Sequence, residues 1–300
     1  MSDHVAHQAT IDGLWDYDDP AASESRFRAA ASAAADAAGA TDRAVLLTQV
    51  ARALGLQRRF DEATEVLDSI PDAGDPEVRV RVLLERGRVL NTSGSPEAAR
   101  PLFEQAFELA SAAGFEHLAV DSLHMVAIVA PADEQTSLNE QALALASAAT
   151  DSRAREWRAS LLNNLGWTRF DGGDYGAALA LFEDAVTERE RLGKARELQI
   201  ARWCVGRTLR ALGRTEEALA LQVSLADKNS RTWVSDSFVE EEIGECLVEL
   251  GRAEEARNHF TEAANLLEAA GAGEQPDPER LARLRTAGDQ SNTTPDPGSG

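Results

Sequence analysis

The strongest constraint on the fold is a pattern that the chain repeats five times. Each copy has a small residue in the middle of a helical segment, then a turn, then an alanine with a larger residue four positions later. A small or aliphatic residue follows three positions after that, and this spacing keeps all three on one helix face. The copies are Ala51 with Ala63, Leu67 and Ile70; Gly87 with Ala99, Phe103 and Ala106; Gly166 with Ala178, Phe182 and Ala185; Gly206 with Ala218 and Leu225; and Gly244 with Ala256, Phe260 and Ala263. The sequence therefore predicts consecutive helical hairpins.

Two weaker copies extend the pattern. One spans Phe115 to Ala149, where Asn139 takes the place of the large residue, and the other begins at Pro20, where Phe27 takes that place. The large positions of the second helices are then Phe27, Leu67, Phe103, Asn139, Phe182, Gln222 and Phe260. Their regular spacing predicts seven units.

The composition favours helices and restricts the class of partner. Strong helix formers dominate and no strand-like alternation persists, so we predict an all-α fold. The chain has 51 acidic against 30 basic residues, a net charge of −21, which disfavours binding to nucleic acid or an anionic membrane. Residues 1–10 lack the pattern of a signal peptide, and no apolar run is long enough to span a membrane. We therefore expect a cytoplasmic protein.

The third clear copy carries a family resemblance. Leu165 and Gly166 lie in its first helix, and the second contains Asp174, Tyr175, Ala178, Phe182 and Ala185. This order resembles the tetratricopeptide repeat family. The resemblance implies a right-handed α-solenoid of about seven helix–turn–helix repeats, with the first helices lining a concave surface. The spacing between the large positions of successive second helices exceeds the family's minimum repeat length of roughly 34 residues, so we expect a stand-alone bacterial member with elongated repeats.

The same reasoning predicts four segments along the chain. Residues 1–39 form an N-terminal capping segment with the first degenerate repeat, and residues 40–270 form the superhelix. Residues 271–287 form a linker with a possible short capping helix, and residues 288–300 form a disordered tail.

The resemblance also places candidate binding residues on the concave surface. They occupy first-helix positions three before, one after and four after the small residue, together with Asn164, where the family often has an asparagine that contacts peptide. The candidates are Arg52, Arg88, His124, Asn163, Asn164, Trp167, Phe170, Trp203, Arg207 and Arg210. Trp and Arg side by side are typical of binding hot spots. We predict a groove for an acidic or carboxylate-ended peptide, anchored by the tryptophans and oriented by Arg88, Arg207 and Arg210.

A second interpretation of these residues stays open. The arginines could instead pair with glutamates of neighbouring repeats, for which Glu85, Glu188 and Glu217 are candidates, and Trp203 could pack between helices. The carboxylate clamp of chaperone-binding members is incomplete, because no clamp lysine is present.

The sequence predicts no catalytic residue, cofactor or metal site. No histidine pair has further ligands at a metal-site spacing, and Gly172 and Gly173 lack the Lys-Ser/Thr of a phosphate loop. We expect Cys204 and Cys246 to be buried. The predicted function is a non-enzymatic adaptor for a protein or peptide partner. Two alternatives are a peptide-sensing regulator that changes shape on binding and a structural protein that self-associates through the array ends or the Trp15 region. The oligomeric state stays open.

Overall fold

The computed structural model describes residues 3–34, 39–71, 74–232, 237–270 and 277–289. Within these ranges the chain forms α-helices and no strand. The helices are α1 (Asp3–Leu14), α2 (Pro20–Ala33), α3 (Ala40–Leu56), α4 (Phe60–Asp68), α5 (Pro76–Thr92), α6 (Pro96–Ala113), α7 (Glu116–Val129), α8 (Ala132–Ala148), α9 (Ser152–Asp171), α10 (Tyr175–Leu192), α11 (Ala195–Ala211), α12 (Thr215–Thr232), α13 (Ser237–Glu249), α14 (Ala253–Ala270) and α15 (Pro278–Asp289). Helices α1 to α14 form seven consecutive hairpins, so the predicted all-α fold of about seven helix–turn–helix repeats is confirmed. None of the helices within those ranges combines the length and apolar character needed to cross a bilayer.

The chain divides into two compact units. Unit 1 comprises Met1–Leu161 and unit 2 comprises Leu162–Gly300. Of the segments predicted near the C-terminus, residues 271–276 and 290–300 lie outside the described residues, whereas Pro278–Asp289 forms α15. Leu284 of α15 is fully buried in the core of unit 2, which is how a terminal helix covers the apolar end of a repeat array.

The recurring small residue allows the two helices of a hairpin to approach closely. A Cβ atom added at Gly87 would lie 2.4 Å from the ring of Phe103, and one added at Gly166 would lie 2.5 Å from the ring of Phe182. Gly206 has the same relationship with Gln222, at 2.4 Å. In each hairpin the partner lies sixteen residues after the glycine. The repeated sequence spacing is therefore a repeated interhelical contact.

A second fixed position forms the turn of each of these hairpins. Seven residues after the small residue the backbone enters the left-handed region, at Gly94, Gly173, Gly213 and Gly251, with φ between 75° and 96°. Glycine adopts this conformation without steric cost. The equivalent residue after Ala51 is Arg58, which takes a φ of 60°. The turn geometry is thus retained where the glycine is absent.

The aromatic residues near the N-terminus pack onto the first hairpins. The ring of Trp15 lies 5.1 Å from the ring of Phe27, and its Nε1 donates a hydrogen bond to Oε1 of Gln49 at 3.0 Å. Tyr17 stacks on Trp15 at 4.6 Å but leaves 62% of its surface exposed. Trp15 therefore contributes to the core of unit 1, whereas Tyr17 extends into solvent.

Candidate functional site

A ladder of ion pairs joins neighbouring repeats along their first helices. An arginine one residue after the small residue of one repeat faces an acid of the next repeat. This acid lies two residues before the small residue or, for Asp121, two residues before Leu123, which takes that place. The pairs are Arg52 with Glu85 (3.5 Å), Arg88 with Asp121 (2.5 Å) and Arg207 with Glu242 (3.4 Å). All three acids are buried. The interpretation of the arginines as links between repeats thus has a structural basis, and Glu85 is one of the partners named from the sequence.

Arg88 is the most completely paired of the predicted binding residues. Its guanidinium contacts both carboxylate oxygens of Asp121, at 2.5 and 2.7 Å, and Oε1 of Glu85 at 2.5 Å. Burial acts to raise the pKa of Asp121, but the charges of Arg88 and Arg52 together with the hydrogen bonds from Arg88 outweigh it and lower that pKa to about 2. Arg88 therefore holds two acids of unit 1. This differs from the predicted groove, in which Arg88 was expected to orient the carboxylate of a ligand.

His124 lies in a half-buried cluster of unit 1. Its ring centroid is 5.0 Å from that of Trp157, whose Nε1 donates to Nδ1 of His117 at 3.3 Å. Burial lowers the pKa of His124, and its Nδ1 atom has no hydrogen-bond partner. The neutral imidazole packs against the indole.

The ladder changes composition in unit 2, at α9 and α11. Trp167 occupies the position of the arginine and Cys204 the position of the acid. The Cys204 thiol donates to Oδ1 of Asn163 at 3.7 Å, and burial raises the pKa of Cys204 to about 12. Asn163, predicted as a peptide contact, is therefore engaged within the protein. Asn164 is half-buried, and its backbone carbonyl accepts a hydrogen bond from the Thr168 hydroxyl at 3.1 Å.

Four rings of three successive first helices lie together where the ladder is interrupted. We call them the aromatic surface: Trp167 and Phe170 of α9, Trp203 of α11 and Phe238 of α13. Trp167 lies 5.3 Å from Phe170 and 6.0 Å from Trp203, and Trp203 lies 5.7 Å from Phe238. Nε1 of Trp203 donates to the carbonyl oxygen of Phe238 at 3.1 Å, which fixes its orientation. Three of the four rings were predicted from the sequence, and the structure brings them together.

Arg207 lies against this surface. Its guanidinium carbon is 6.0 Å from the ring centroid of Trp167, 5.7 Å from that of Phe170 and 5.5 Å from that of Trp203, within the range of cation–π attraction. Its contact with Glu242 is long, at 3.4 Å, and its Nε atom has no hydrogen-bond partner.

Arg210 is paired more tightly than Arg207. It contacts Glu242 at 2.5 Å and Glu249 at 2.8 Å. Burial acts to lower the pKa of Arg210, but its hydrogen bond and charge pairing with Glu242 raise it overall. Arg210 therefore connects α11 to α13.

A cavity of about 300 Å³ opens beside the aromatic surface. Its lining residues are Trp167, Trp203, Arg207, Phe238, Glu241, Glu242 and Arg280. Arg280 of α15 lies 3.8 Å from the ring centroid of Phe238, and its Nε donates to Oε2 of Glu241 at 2.7 Å. Phe238 was not predicted, because it lies six residues before Gly244 and the predicted groove positions begin three residues before the small residue. Arg280 was not predicted either, because α15 was expected only as a cap.

Metal chemistry finds no support in this geometry. Across the part of the chain that the structure describes, no group of three or more His, Cys, Asp or Glu side chains lies close enough to hold an ion.

Sequence comparison identifies the repeat type. Residues 158–192 match the family model for the tetratricopeptide repeat, and this segment carries Trp167 and Phe170. No curated protein sequence matches the chain. Together with the solved structures below, the match confirms the predicted resemblance to this family.

Solved structures share the fold. A tetratricopeptide repeat protein from Parabacteroides merdae has 17% identity and a TM-score of 0.51, covering 94% of this chain and 98% of its own. A signal transduction ATPase with a tetratricopeptide repeat sensor, from Pyrococcus horikoshii, has 14% identity and a TM-score of 0.65, covering 82% of this chain and 39% of its own. The apo quorum sensor NprR from B. thuringiensis has 13% identity and a TM-score of 0.60, covering 81% and 69%. At these identities the similarity shows the fold alone.

Proposed function

We propose that this chain, whose residues 158–192 match the tetratricopeptide repeat, is a non-enzymatic module that binds an extended segment of another protein on the aromatic surface of unit 2. The proposal retains the sequence-based expectations of a cytoplasmic location and of a partner that is neither nucleic acid nor a membrane. The partner's identity is left to experiment.

The gathering of Trp167, Phe170, Trp203 and Phe238 around Arg207 carries this proposal. Large rings that stay partly in contact with water release that water on binding, and Trp and Arg contribute most of the free energy at protein interfaces. Phe238 is 48% exposed and lies at the rim of the cavity. The surface therefore combines apolar area with a cation, as a peptide-binding site requires.

Two pairs of variants test the proposal. Trp203→Ala and Phe238→Ala remove rings of the aromatic surface. Val223→Ala and Leu212→Ala are the matched controls, because these side chains are 42% and 38% exposed in the same unit, lie outside the first-helix positions of the aromatic surface and do not line the cavity. We expect affinity capture from the source cell to recover a partner with the wild type and both controls, and to lose it with both ring variants. Equal recovery by all five proteins would place the binding site elsewhere.

A peptide-sensing regulator is the second candidate. It is supported by the fold shared with NprR, which has also been solved in complex with its cognate peptide NprX, at a TM-score of 0.52 with this chain. A sensor changes shape on binding, whereas a rigid adaptor does not. Small-angle scattering of the protein with and without its captured ligand separates the two: a decrease in the radius of gyration supports a sensor, and an unchanged radius supports an adaptor.

A further inference from the structure

We infer that the segment bound on the aromatic surface carries an aspartate or glutamate side chain that pairs with Arg207, beside an apolar side chain that enters the cavity. This inference rests on the proposed function and names the chemistry of its ligand.

Arg207 retains hydrogen-bonding capacity that its own contacts do not use. A guanidinium has five N–H donors in a planar fork that matches a carboxylate. Within the residues that the structure describes, Arg207 uses this capacity in the long contact of Nη1 with Glu242, at 3.4 Å, and its buried Nε has no partner there. The side chain is 37% exposed, so further N–H donors at Nη1 and Nη2 remain for a ligand. Arg88 and Arg210, the other two arginines predicted to orient a ligand, are held by carboxylates at 2.5 Å. Of these three, Arg207 is the one able to accept a further anion.

The charges around the cavity favour a further anion at Arg207. Glu242 lies nearer to Arg210 than to Arg207, so it compensates the charge of Arg207 only in part. Glu241 is held by Arg280 and Arg283 of α15. A ligand carboxylate at Arg207 would therefore meet a cation whose neighbouring acids are already engaged. The adjoining rings limit access of water and strengthen such a pair.

The rings near Arg207 indicate whether the ligand's carboxylate belongs to a side chain or to the end of its chain. Arg207 of α11 lies 5.7 Å from the ring centroid of Phe170 of α9 and lines the same cavity as Phe238 of α13. A segment that crosses Arg207 can continue over a ring in either direction. This arrangement suits a side chain within an extended segment better than the end of a chain.

Unit 1 provides a matched control for Arg207. Arg52 occupies the same repeat position, makes an equally long contact with a buried acid (3.5 Å to Glu85) and also has an Nε atom without a partner. Glu85 in turn is held at 2.5 Å by Arg88, as Glu242 is by Arg210. Arg52 does not line the cavity. Arg52→Gln therefore reproduces the local loss caused by Arg207→Gln without touching the proposed site.

The experiment uses three sets of synthetic hexapeptides with one phenylalanine at each position in turn. The first set is acetylated and amidated and carries one glutamate at varying distance from the phenylalanine; the second replaces that glutamate by glutamine. The third has glutamine and a free C-terminal carboxylate. Binding to the full chain is measured by fluorescence anisotropy for the wild type, Arg207→Gln, Arg52→Gln and Trp203→Ala, each checked for an unchanged circular dichroism spectrum.

We expect the best glutamate peptide to bind about tenfold or more tightly than its glutamine counterpart, which is the usual gain from a hydrogen-bonded charge pair. Arg207→Gln should abolish this preference and Arg52→Gln should keep it. If glutamate and glutamine peptides bind equally and Trp203→Ala weakens both, the carboxylate inference is wrong and the proposed function stands. If the free C-terminus restores tight binding to the glutamine set, the source of the carboxylate is wrong. If no peptide shows binding that depends on Trp203, both proposals fail.

Discussion

Arg88 contacts both carboxylate oxygens of Asp121 through a single nitrogen atom, although the two residues belong to neighbouring repeats and lie 33 positions apart. Both side chains are largely withdrawn from solvent, at 15% and 10% exposure. A buried pair of this kind holds two repeats in register, because neither partner can be removed without leaving a charge in a poorly solvated site.

We therefore expect Asp121→Asn to destabilise the protein by about 1–3 kcal/mol, since Arg88 loses its main partner but keeps Glu85. Urea unfolding measures this change. The exposed pair of Arg214 and Glu217 provides the control, and Arg214→Gln should leave the unfolding midpoint nearly unchanged. Similar midpoints for the two variants would show that the Arg88 pair contributes little.

The same pair predicts a sensitivity to acid. The pKa of Asp121 is lowered from 3.8 to about 2, so its contribution to the free energy of unfolding is present above pH 3.8 and is lost as the pH falls towards 2. Asp121→Asn should remove this part of the pH dependence. A wild-type and variant difference that stays constant from pH 5 to pH 2 would contradict the assignment.

The glycines of the hairpins should differ in their tolerance of alanine. Gly166→Ala would place a methyl group 2.5 Å from the fully buried ring of Phe182, and we expect a loss of about 1–3 kcal/mol. Gly206→Ala should also destabilise the protein, because the atom it meets is Nε2 of the fully buried Gln222, which donates a hydrogen bond to the carbonyl oxygen of Trp203 at 3.2 Å. Thermal unfolding ranks these variants.

Gly55→Ala is the control for that series. Its nearest neighbour would be Cγ2 of Val89 at 3.9 Å, an ordinary contact, so the gain in helix propensity should stabilise the protein by up to about 1 kcal/mol. A destabilisation as large as that of Gly166→Ala would show that helix geometry, not contact with the ring, sets the cost.

His7 should make the attachment of α1 depend on pH. Its Nε2 lies 2.6 Å from Asp42 of α3, and its Nδ1 lies 2.9 Å from Glu77 of α5, which also pairs with Arg81. Both ring nitrogens can donate only when the imidazole is protonated. Burial lowers the pKa of His7, but the hydrogen bonds to both carboxylates outweigh this effect and raise it above 6.5.

The contribution of His7 is therefore complete below pH 6.5 and is lost as the pH rises through its raised pKa. NMR titration of the imidazole and hydrogen exchange of α1 measure the two effects. His7→Gln should flatten the pH dependence of exchange in α1. His124 has the opposite shift, since burial lowers its pKa, so His124→Gln should leave exchange in α1 unchanged.

Both cysteines should react slowly in the folded protein. Burial raises the pKa values of Cys204 and Cys246 to about 12, and the thiolate is the reactive form. At pH 8 we expect iodoacetamide to label the native protein far more slowly than the protein unfolded in urea. Equal labelling rates would show that these side chains are accessible.

The sequence predicted the repeat because one contact recurs. A glycine and a ring sixteen residues later, such as Gly166 and Phe182, form a close contact between the two helices of one hairpin. The spacing of these two residues in the sequence therefore indicates the contact. The sequence predicted Trp167, Phe170, Trp203 and Arg207 as neighbours for the same reason, since equivalent positions of adjacent repeats lie side by side.

The charge balance of the surface could not be predicted in the same way. The acids Glu85, Asp121 and Glu242 occupy a position two before the small residue or its equivalent, which points towards the preceding repeat and was not assigned to the surface. A comparison of the arginine in one repeat with this position in the next could have found the pairs. The contact of Arg280 with Phe238 could not be predicted either, because it depends on how α15 packs on α13 and the repeat spacing does not determine this packing.

Glu242 has two arginine partners, and this redundancy affects how a ligand can be accommodated. When Arg207 turns to an incoming anion, Arg210 still neutralises Glu242, so the exchange leaves no isolated buried carboxylate. A one-to-one pair would have to break before each binding event and re-form after each release. In the proposed binding mode, sharing the acid would let Arg207 exchange Glu242 for a ligand carboxylate with little reorganisation of the hairpins that support it.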